Sequence, residues 1–317
     1  MSTVFAQAPR PPAEAPAPVR RPLLERALGQ SPSAWLYVLP AVIIIIGLAV
    51  VPVGWSALIS VQDKDPIAET TSYVGLENYR DLFADPLFRR AVEHTLLYAA
   101  LFVPLSVAGG LALAVALNRR IRLIGLYRTL AFVPVVVSAT VQGVLFSFIF
   151  DDQFGVANAL LTKVGLPAQP FFADGGQALL LLVLAGLWAG TSCVSFCAVV
   201  LLAALQDVPR ELTEAASIDG ARRAGVFRHV TLPAIAPVLA FLLLWQLIQA
   251  VQLFDLVYGS TRGGPGQSTV VVVYYIYRSI RDSAYGMGAA ASYAVAGSLM
   301  ALTALAMLVR ARRSRHR

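Results

Sequence analysis

The stretch HVTLPAIAPVLAFLLLWQLIQAVQLF, residues 229–254, contains no Asp, Glu, Lys or Arg. A helix that crosses a bilayer needs roughly 20 predominantly apolar residues, so this stretch predicts a transmembrane helix. Comparable uncharged stretches occur elsewhere in the chain, at 34–60, 94–118, 129–150, 175–206 and 283–309. The sequence therefore predicts an all-α, polytopic membrane protein with six transmembrane helices.

The composition supports a membrane protein. Of the 317 residues, 57% are hydrophobic and 14% are charged, whereas soluble domains carry about 25% charged residues. Such a chain exposes too few charges for a soluble domain.

The basic residues predict the orientation, because cytoplasmic segments are enriched in Lys and Arg. Of the 25 basic residues, 17 lie in the N-terminal tail, in the second and fourth connecting segments, and after the last predicted span. Both termini are therefore predicted to be cytoplasmic. The net charge of +7 is thus explained mainly by topology, and a nucleic-acid-binding patch is the weaker alternative.

The domain organisation follows from these spans. We expect a disordered cytoplasmic tail at 1–33, a six-span domain at 34–310 and a basic tail at 311–317. No short apolar region precedes the first span, so a removable signal peptide is not expected. The two cysteines, Cys193 and Cys197, are interpreted as small buried hydrophobic residues rather than metal or redox groups.

Several kinds of chemistry lack the residues they need. A nucleotide-binding loop requires a Gly-rich turn followed by Lys and Ser or Thr, and neither Lys64 nor Lys163 fits that pattern. The three histidines are scattered, without the spacing of metal ligands. We therefore expect no catalytic residues, no metal site and no bound cofactor, so that any ATP and Mg²⁺ would be held by partner subunits.

Polar side chains inside predicted spans are costly and usually face the bundle interior or a wet cavity. Gln246, Gln249, Gln252 and Asp255 recur every three residues on one broad side of the fifth predicted span. They are expected either to form interhelical hydrogen bonds or to line a solute path. Ser192 and Ser195 in the fourth span are weaker candidates, because small hydroxyls often bond their own helix.

The segment 207–233, here named the elbow, is the most polar long stretch between two apolar spans. Asp207 and Pro209 suit a helix start, and Gly220 suits a helix end that needs a left-handed residue. A second short helix is predicted at 222–231. From physics alone the elbow is either a solvated loop or a helix-turn-helix that docks on a partner.

A later apolar segment, 269–277, is too short to cross a bilayer. Because it is rich in tyrosine, we expect an interfacial or re-entrant helix that packs within protein.

A family pattern also occurs in the elbow. Residues Glu214, Ala215 and Ala216, then Gly220, then Val230, Thr231, Leu232 and Pro233 resemble the EAA loop of the membrane subunits of binding-protein-dependent ABC importers. NYRDLFADPLF (78–88) and LFDLVYGSTRGGPGQST (253–269) look like the sugar and glycerol-phosphate branch, specifically its maltose-type-F-like subunit. Val230 and His94 depart from the usual Ile and Asn.

The resemblance implies partners and roles. The partners would be a second permease, two ATP-binding subunits, an extracytoplasmic solute-binding protein and the lipid of a bacterial cytoplasmic membrane. Glu214 would form an ion pair with the ATPase subunit, Ala215 and Ala216 would permit close contact, and Gly220 would allow the turn. The docking set is completed by Asp219, Leu232 and Pro233.

The resemblance leaves the solute open. A carbohydrate is expected, with glycerol 3-phosphate or another small solute as the alternative. A self-sufficient channel or ion-coupled carrier is the rival from another class, and it would require intramembrane charged relays that the sequence nearly lacks.

Overall fold

The computed structural model describes residues 32–65, 70–119, 122–188 and 194–314. Its regular secondary structure is helical except for a short antiparallel pair, β1 (Gln62–Asp65) and β2 (Thr70–Tyr73), in which Gln62 is opposite Tyr73. The all-α prediction is therefore correct for the main architecture and misses this strand pair.

The chain divides into two compact units, residues 1–55 and 56–317. In the first unit, α1 (Pro32–Ile45) passes through a π-turn (Ile46–Val50) into α2 (Val51–Ile59), which extends beyond residue 55. The stretch Tyr37–Ile59 is long and apolar enough to cross a membrane.

The second unit contains the later helices. In chain order they are α3 (Glu77–Ala84), α4 (Pro86–Leu117), α5 (Ile124–Phe132), α6 (Ala139–Ile149), α7 (Val156–Lys163), α8 (Gly175–Trp188), α9 (Val194–Gln206), α10 (Arg210–Ile218), α11 (Arg223–Val226), α12 (Leu232–Val251), α13 (Asp255–Gly259), α14 (Val272–Arg281) and α15 (Tyr285–Ser314).

The predicted spans differ in how directly the structure reproduces them. Within the described residues, four helices are long and apolar enough to span a membrane: Tyr37–Ile59, Pro86–Leu117, Arg223–Val251 and Tyr285–Leu305. The third predicted span becomes two helical segments that meet at 95°, and the fourth becomes the shorter helices α8 and α9. The predicted fourth span includes residues 189–193, which lie outside the described part of the chain.

The bend in the third predicted span has a local cause. A 3₁₀ turn, Val133–Val136, follows α5, and Pro134 within it lacks the N–H that a continuing helix would need. Val137 and Ser138 then adopt extended backbone conformations before α6 begins. An uncharged stretch of the right length therefore does not form one straight helix.

Helix α4 is the centre of the second unit. Its 32 residues give a length of about 48 Å. Its buried side chains belong to three apolar clusters: Phe88 near the start, Phe102 in the middle and Ala114 near the end. Helices α6, α8, α9, α12, α14 and α15 contribute to one or more of these clusters, so α4 provides the common packing surface.

The cluster at the start of α4, here named the α14 cluster, confirms one part of the expectation for the short tyrosine-rich segment, namely that it packs within protein. It consists of Leu82, Phe88, Ala91, Val270, Val272, Tyr275, Ala290 and Ala291. The segment forms α14 and packs within protein, although its helix begins three residues later than predicted.

Side-chain hydrogen bonds fix α14 to α4. His94 Nδ1 lies 3.0 Å from the carbonyl oxygen of Val270, and the N–H of Val272 donates to Thr95 Oγ1. Tyr275 Oη donates to Asp85 Oδ2 at 2.7 Å, while the other oxygen of Asp85 accepts from the first turn of α4. Burial and this hydrogen bond raise the pKa of Tyr275, so its hydroxyl remains a donor.

Candidate functional site

The first helix of the elbow, α10, has no buried residue. Its large apolar side chains are uncovered: Leu212 is 52% exposed and Ile218 is 86% exposed. Glu214 and Ala215 are also exposed, and Ala216 is half-buried. The helix begins at Arg210, close to the predicted start, but Pro209 rather than Asp207 occupies the N-cap and no side chain caps the helix there. Its apolar side chains find no cover within the described part of the chain.

Gly220 ends α10 as predicted, in a left-handed conformation with φ +84°. The N–H of Gly220 donates to Ser217 and the N–H of Ala221 donates to Ala216. This pair of bonds is the Schellman arrangement, which satisfies the last carbonyls of a helix. An L side chain at Gly220 would be strained even though the space around it is open.

The second helix of the elbow differs from the prediction. Instead of a separate helix at 222–231, α11 passes through a π-turn (Phe227–Thr231) directly into α12. The helix is continuous from Arg223 to Val251. Leu232 is half-buried and Pro233 is exposed, directly after the π-turn within this continuous helix. The elbow therefore runs without interruption into an apolar span.

A groove of about 710 Å³ separates α10 from the ends of α4 and α9. Glu214 and Ser217 line it from α10, Val115 from α4, Leu205 from α9, and Arg223 from α11. The other side of α10 carries the exposed residues Leu212, Ala215 and Asp219, which share a face by their spacing. Glu214 and Ala215 thus lie on different sides of one short helix.

The row of polar residues predicted on the fifth span, here named the polar stripe (Gln246, Gln249, Gln252 and Asp255), is shorter than the sequence suggests. Gln246 is fully buried and Gln249 is half-buried, both on α12. The helix ends at Val251, Gln252 is an exposed cap, and Asp255 begins the separate helix α13. The prediction of one helical side is therefore wrong for Asp255, because the backbone turns at Phe254.

The two serine candidates have different outcomes. Ser195 is buried on α9, and Cys197 on the same helix is also buried, as expected. Ser192 and Cys193 lie outside the described residues.

Comparison with known proteins gives a family. Residues 106–315 match the model of the binding-protein-dependent transport system inner membrane component. The chain belongs to this family. The family predicted from the EAA pattern is thereby confirmed, and the chain is a permease subunit of an importer.

Similar proteins fit this family. The permease is 36% identical over 250 residues to the sn-glycerol-3-phosphate transport system permease protein UgpA of Pectobacterium atrosepticum, covering 78% of this chain and 83% of the relative. It is 30% identical over 249 residues to the probable ABC transporter permease protein YurN of Bacillus subtilis, covering 77% and 84%.

Among solved structures, the permease resembles a chain of a bacterial ABC transporter that imports the acidic polysaccharide alginate. The TM-score is 0.79 at 22% identity, and the match covers 91% of this chain and 98% of the other. A further match is to a bacterial alginate transporter in complex with an alginate-loaded periplasmic protein, at a TM-score of 0.78, 22% identity and coverage of 89% and 95%. At this identity the likeness establishes the fold.

The permease contains polar contacts that the sequence analysis missed. The α6 residue Gln142 is buried and donates from Nε2 to the carbonyl oxygen of Ala185 on α8. Thr140 Oγ1 lies 3.4 Å from Asp255 Oδ1, beside the crossing of α6 and α13, where Gly143 leaves no room for a side chain. In the sequence, Gln142 stood out as a glutamine inside an uncharged stretch, but its partner Ala185 is distant along the chain and could not be identified from spacing.

Proposed function

We propose that this permease forms half of the translocation path of an ATP-driven importer and is coupled to an ATP-binding subunit through the elbow. The observation that supports the proposal best is α10, a complete helix with a cap at Gly220 and no buried residue. A short amphipathic helix with uncovered apolar side chains suits a groove on a partner protein.

Each docking residue has a proposed role. Glu214 forms an ion pair with the ATPase subunit from the groove side of α10. Ala215 and Ala216 allow close contact of backbones, and Asp219 adds charge beside them. Gly220 supplies the left-handed turn, while Leu232 and Pro233 set the start of α12.

The proposed topology has six spans with both termini in the cytoplasm. In this arrangement α8 and α9 together form the fourth span, and α5 with α6 forms a broken third span. The broken span suits a membrane protein if its turn is covered by protein. The terminal segments 1–33 and 311–317 remain predicted tails; residues 1–31 and 315–317 lie outside the described residues, whereas 311–314 continue helix α15.

The proposed solute is a carbohydrate or a related polyol. Gln246, Gln249 and Gln252 run from the interior of α12 to its end, with Ser195 on α9, and amide and hydroxyl groups suit recognition of sugar hydroxyls. Asp255 and Ser192 remain weaker candidates. The names of the glycerol-phosphate and alginate relatives favour the alternative of a solute that carries phosphate or carboxylate.

The proposed partners follow from this function. They are a second permease, two ATP-binding subunits that hold ATP and Mg²⁺, and an extracytoplasmic binding protein in a bacterial membrane. The permease itself then binds no cofactor and no nucleic acid.

Charge reversal tests the coupling role. In the reconstituted importer, Glu214→Lys should lower solute uptake at least about tenfold, because a lost interfacial ion pair typically costs about 2–5 kcal/mol. Gly220→Trp should also lower uptake, because an L side chain strains the left-handed turn that ends α10. The folded complex should remain, as measured by thermal unfolding, and ATP hydrolysis should no longer respond to the binding protein.

Glu211→Lys provides the matched control. Glu211 is an exposed glutamate on the same helix and does not line the groove, so uptake should remain near that of the unmodified importer. Full uptake by Glu214→Lys, or equal loss with Glu211→Lys, would remove the assigned role of Glu214.

A further inference from the structure

A small concave site lies between α14 and the loop before it. Its volume is about 180 Å³, and its lining residues, here named the arginine cup, are Arg262, Tyr274, Tyr277, Arg278, Arg281 and Asp282. Neither the elbow nor the polar stripe includes any of these residues.

Helix α14 presents the cup residues on one side. Tyr274, Tyr277, Arg278 and Arg281 recur at spacings of three and four, which places them along one face. Val272 and Tyr275 are buried in the α14 cluster. The buried positions fix the helix, so its arginine and tyrosine face is held in one orientation.

The loop holds Arg262 in an unusual conformation. Its φ is +50°, which residues with a side chain seldom adopt. Its N–H donates to the carbonyl oxygen of Val257 at 2.8 Å, and the buried Thr269 bonds to Thr261 and to Gly264 across the loop. Such a conformation persists where the surrounding structure imposes it, often at ligand sites.

The charges of the cup favour an anion. Asp282 Oδ2 lies 3.5 Å from Arg278 Nε, so one aspartate is set against three arginines and two positive charges remain in excess. A guanidinium presents a planar set of donors that matches phosphate and carboxylate oxygens. A hydrogen bond with Tyr258 raises the pKa of Tyr277, so the cation excess of the arginines is the feature that favours an anion.

The aromatic side chains connect the cup to the end of α12. The ring of Phe254 lies 5.2 Å from that of Tyr277 and 6.3 Å from that of Tyr274. Phe254 follows Gln252 by two residues, at the turn that ends the polar stripe. The cup therefore adjoins the proposed solute path.

We propose that the arginine cup binds the phosphate or carboxylate group of an anionic solute at the mouth of the path. This inference rests on the proposed function, because it names the solute class of that path. A concave site of this size suits one anionic group. A binding-protein surface would instead require a broad contact area.

Equilibrium binding tests the cup without transport. The complete importer, in phosphatidylcholine nanodiscs without the binding protein, is titrated with radiolabelled sn-glycerol 3-phosphate. Saturable binding should be displaced by inorganic phosphate and by glucuronate, and not by glycerol. Arg262→Gln and Arg281→Gln should each weaken binding about tenfold, since a hydrogen bond to a charged group is lost.

Two further variants sharpen the test. Asp282→Asn should tighten binding about two- to threefold, because it removes the only acidic group of the cup. Arg90→Gln, which changes an exposed arginine outside the cup, should leave binding unchanged. Because this assay measures binding without transport or ATP hydrolysis, failure of the coupling proposal is distinguished from failure of this one.

Other outcomes would overturn the proposal. Absence of binding, equal displacement by glycerol, or unchanged binding in the arginine variants would do so. If those variants only raise the binding-protein concentration needed to stimulate ATP hydrolysis, the cup is a protein-docking surface. If phosphatidylglycerol in the nanodisc displaces the probe as well as phosphate does, the cup holds a lipid headgroup.

Discussion

Val270 in the α14 cluster is 1% exposed, whereas Leu212 and Ile218 in the elbow are 52% and 86% exposed. In the first region, side chains from α3, α4, α14 and α15 cover one another and hydrogen bonds cross between elements. In the second, a well-capped helix leaves its apolar side chains open. The cluster is completed within this chain, while the apolar side chains of α10 stay open among the described residues, which suits the partner docking proposed above.

The largest expected effect is on the α14 cluster. Phe88 is 4% exposed there, and Phe88→Ala should lower the free energy of unfolding by about 3–5 kcal/mol because it leaves a cavity. Phe83, which is 60% exposed, provides the control: Phe83→Ala should cost about 1 kcal/mol, mainly through its edge-to-face contact with Phe88. Denaturant unfolding of the purified permease measures both, and equal losses would contradict the contrast.

A smaller effect is expected at the hydrogen bond between α14 and α4. Tyr275→Phe should lower the free energy of unfolding by about 1.5–3 kcal/mol, because Asp85 loses a charge-assisted bond. Tyr285→Phe, at a more exposed tyrosine, should change it by less than about 0.5 kcal/mol. Thermal unfolding of the two variants in parallel decides whether Tyr275 stabilises the cluster.

The smallest effect on stability is expected in the elbow. Leu212→Ser should change the free energy of unfolding by less than about 0.5 kcal/mol, yet weaken binding of the ATP-binding subunit about tenfold if Leu212 contributes to the contact. Leu166→Ser alters a leucine of similar exposure in a loop and should affect neither quantity. If Leu212→Ser instead lowered the free energy of unfolding and left binding of the ATP-binding subunit unchanged, the contrast between the elbow and the α14 cluster would be contradicted.

Local features of the elbow were predictable from sequence. Gly220 needs a left-handed conformation that few other residues tolerate, so a single residue predicts the end of α10. The start of α10 after Pro209 was likewise indicated by the residues next to it. By contrast, hydropathy measures apolar content and carries no direction, so the prediction of a third span missed the 95° bend at residues 133–138, although Pro134 in that stretch was a local signal for it.

Features that depend on distant residues were missed. The prediction that the residues from Gln246 to Asp255 share one helical side assumed a continuous helix, but the backbone turns at Phe254 and the helix ends before it. The arginine cup joins Arg262 to Arg278 and Arg281 across a hydrogen-bonded loop, and the strand pair at 62–73 needs two segments to meet. Each of these requires tertiary packing that spacing along the chain does not specify.

The unbroken helix from Arg223 to Val251 also sets a scale for movement. Its 29 residues extend over about 44 Å. A rotation of about 10° around its elbow end displaces the far end by roughly 8 Å, since a rigid α-helix keeps its length. If the proposed coupling rotates this helix about its elbow end, a small shift beside Arg223 becomes a displacement many times larger at Gln246, which lies near the far end.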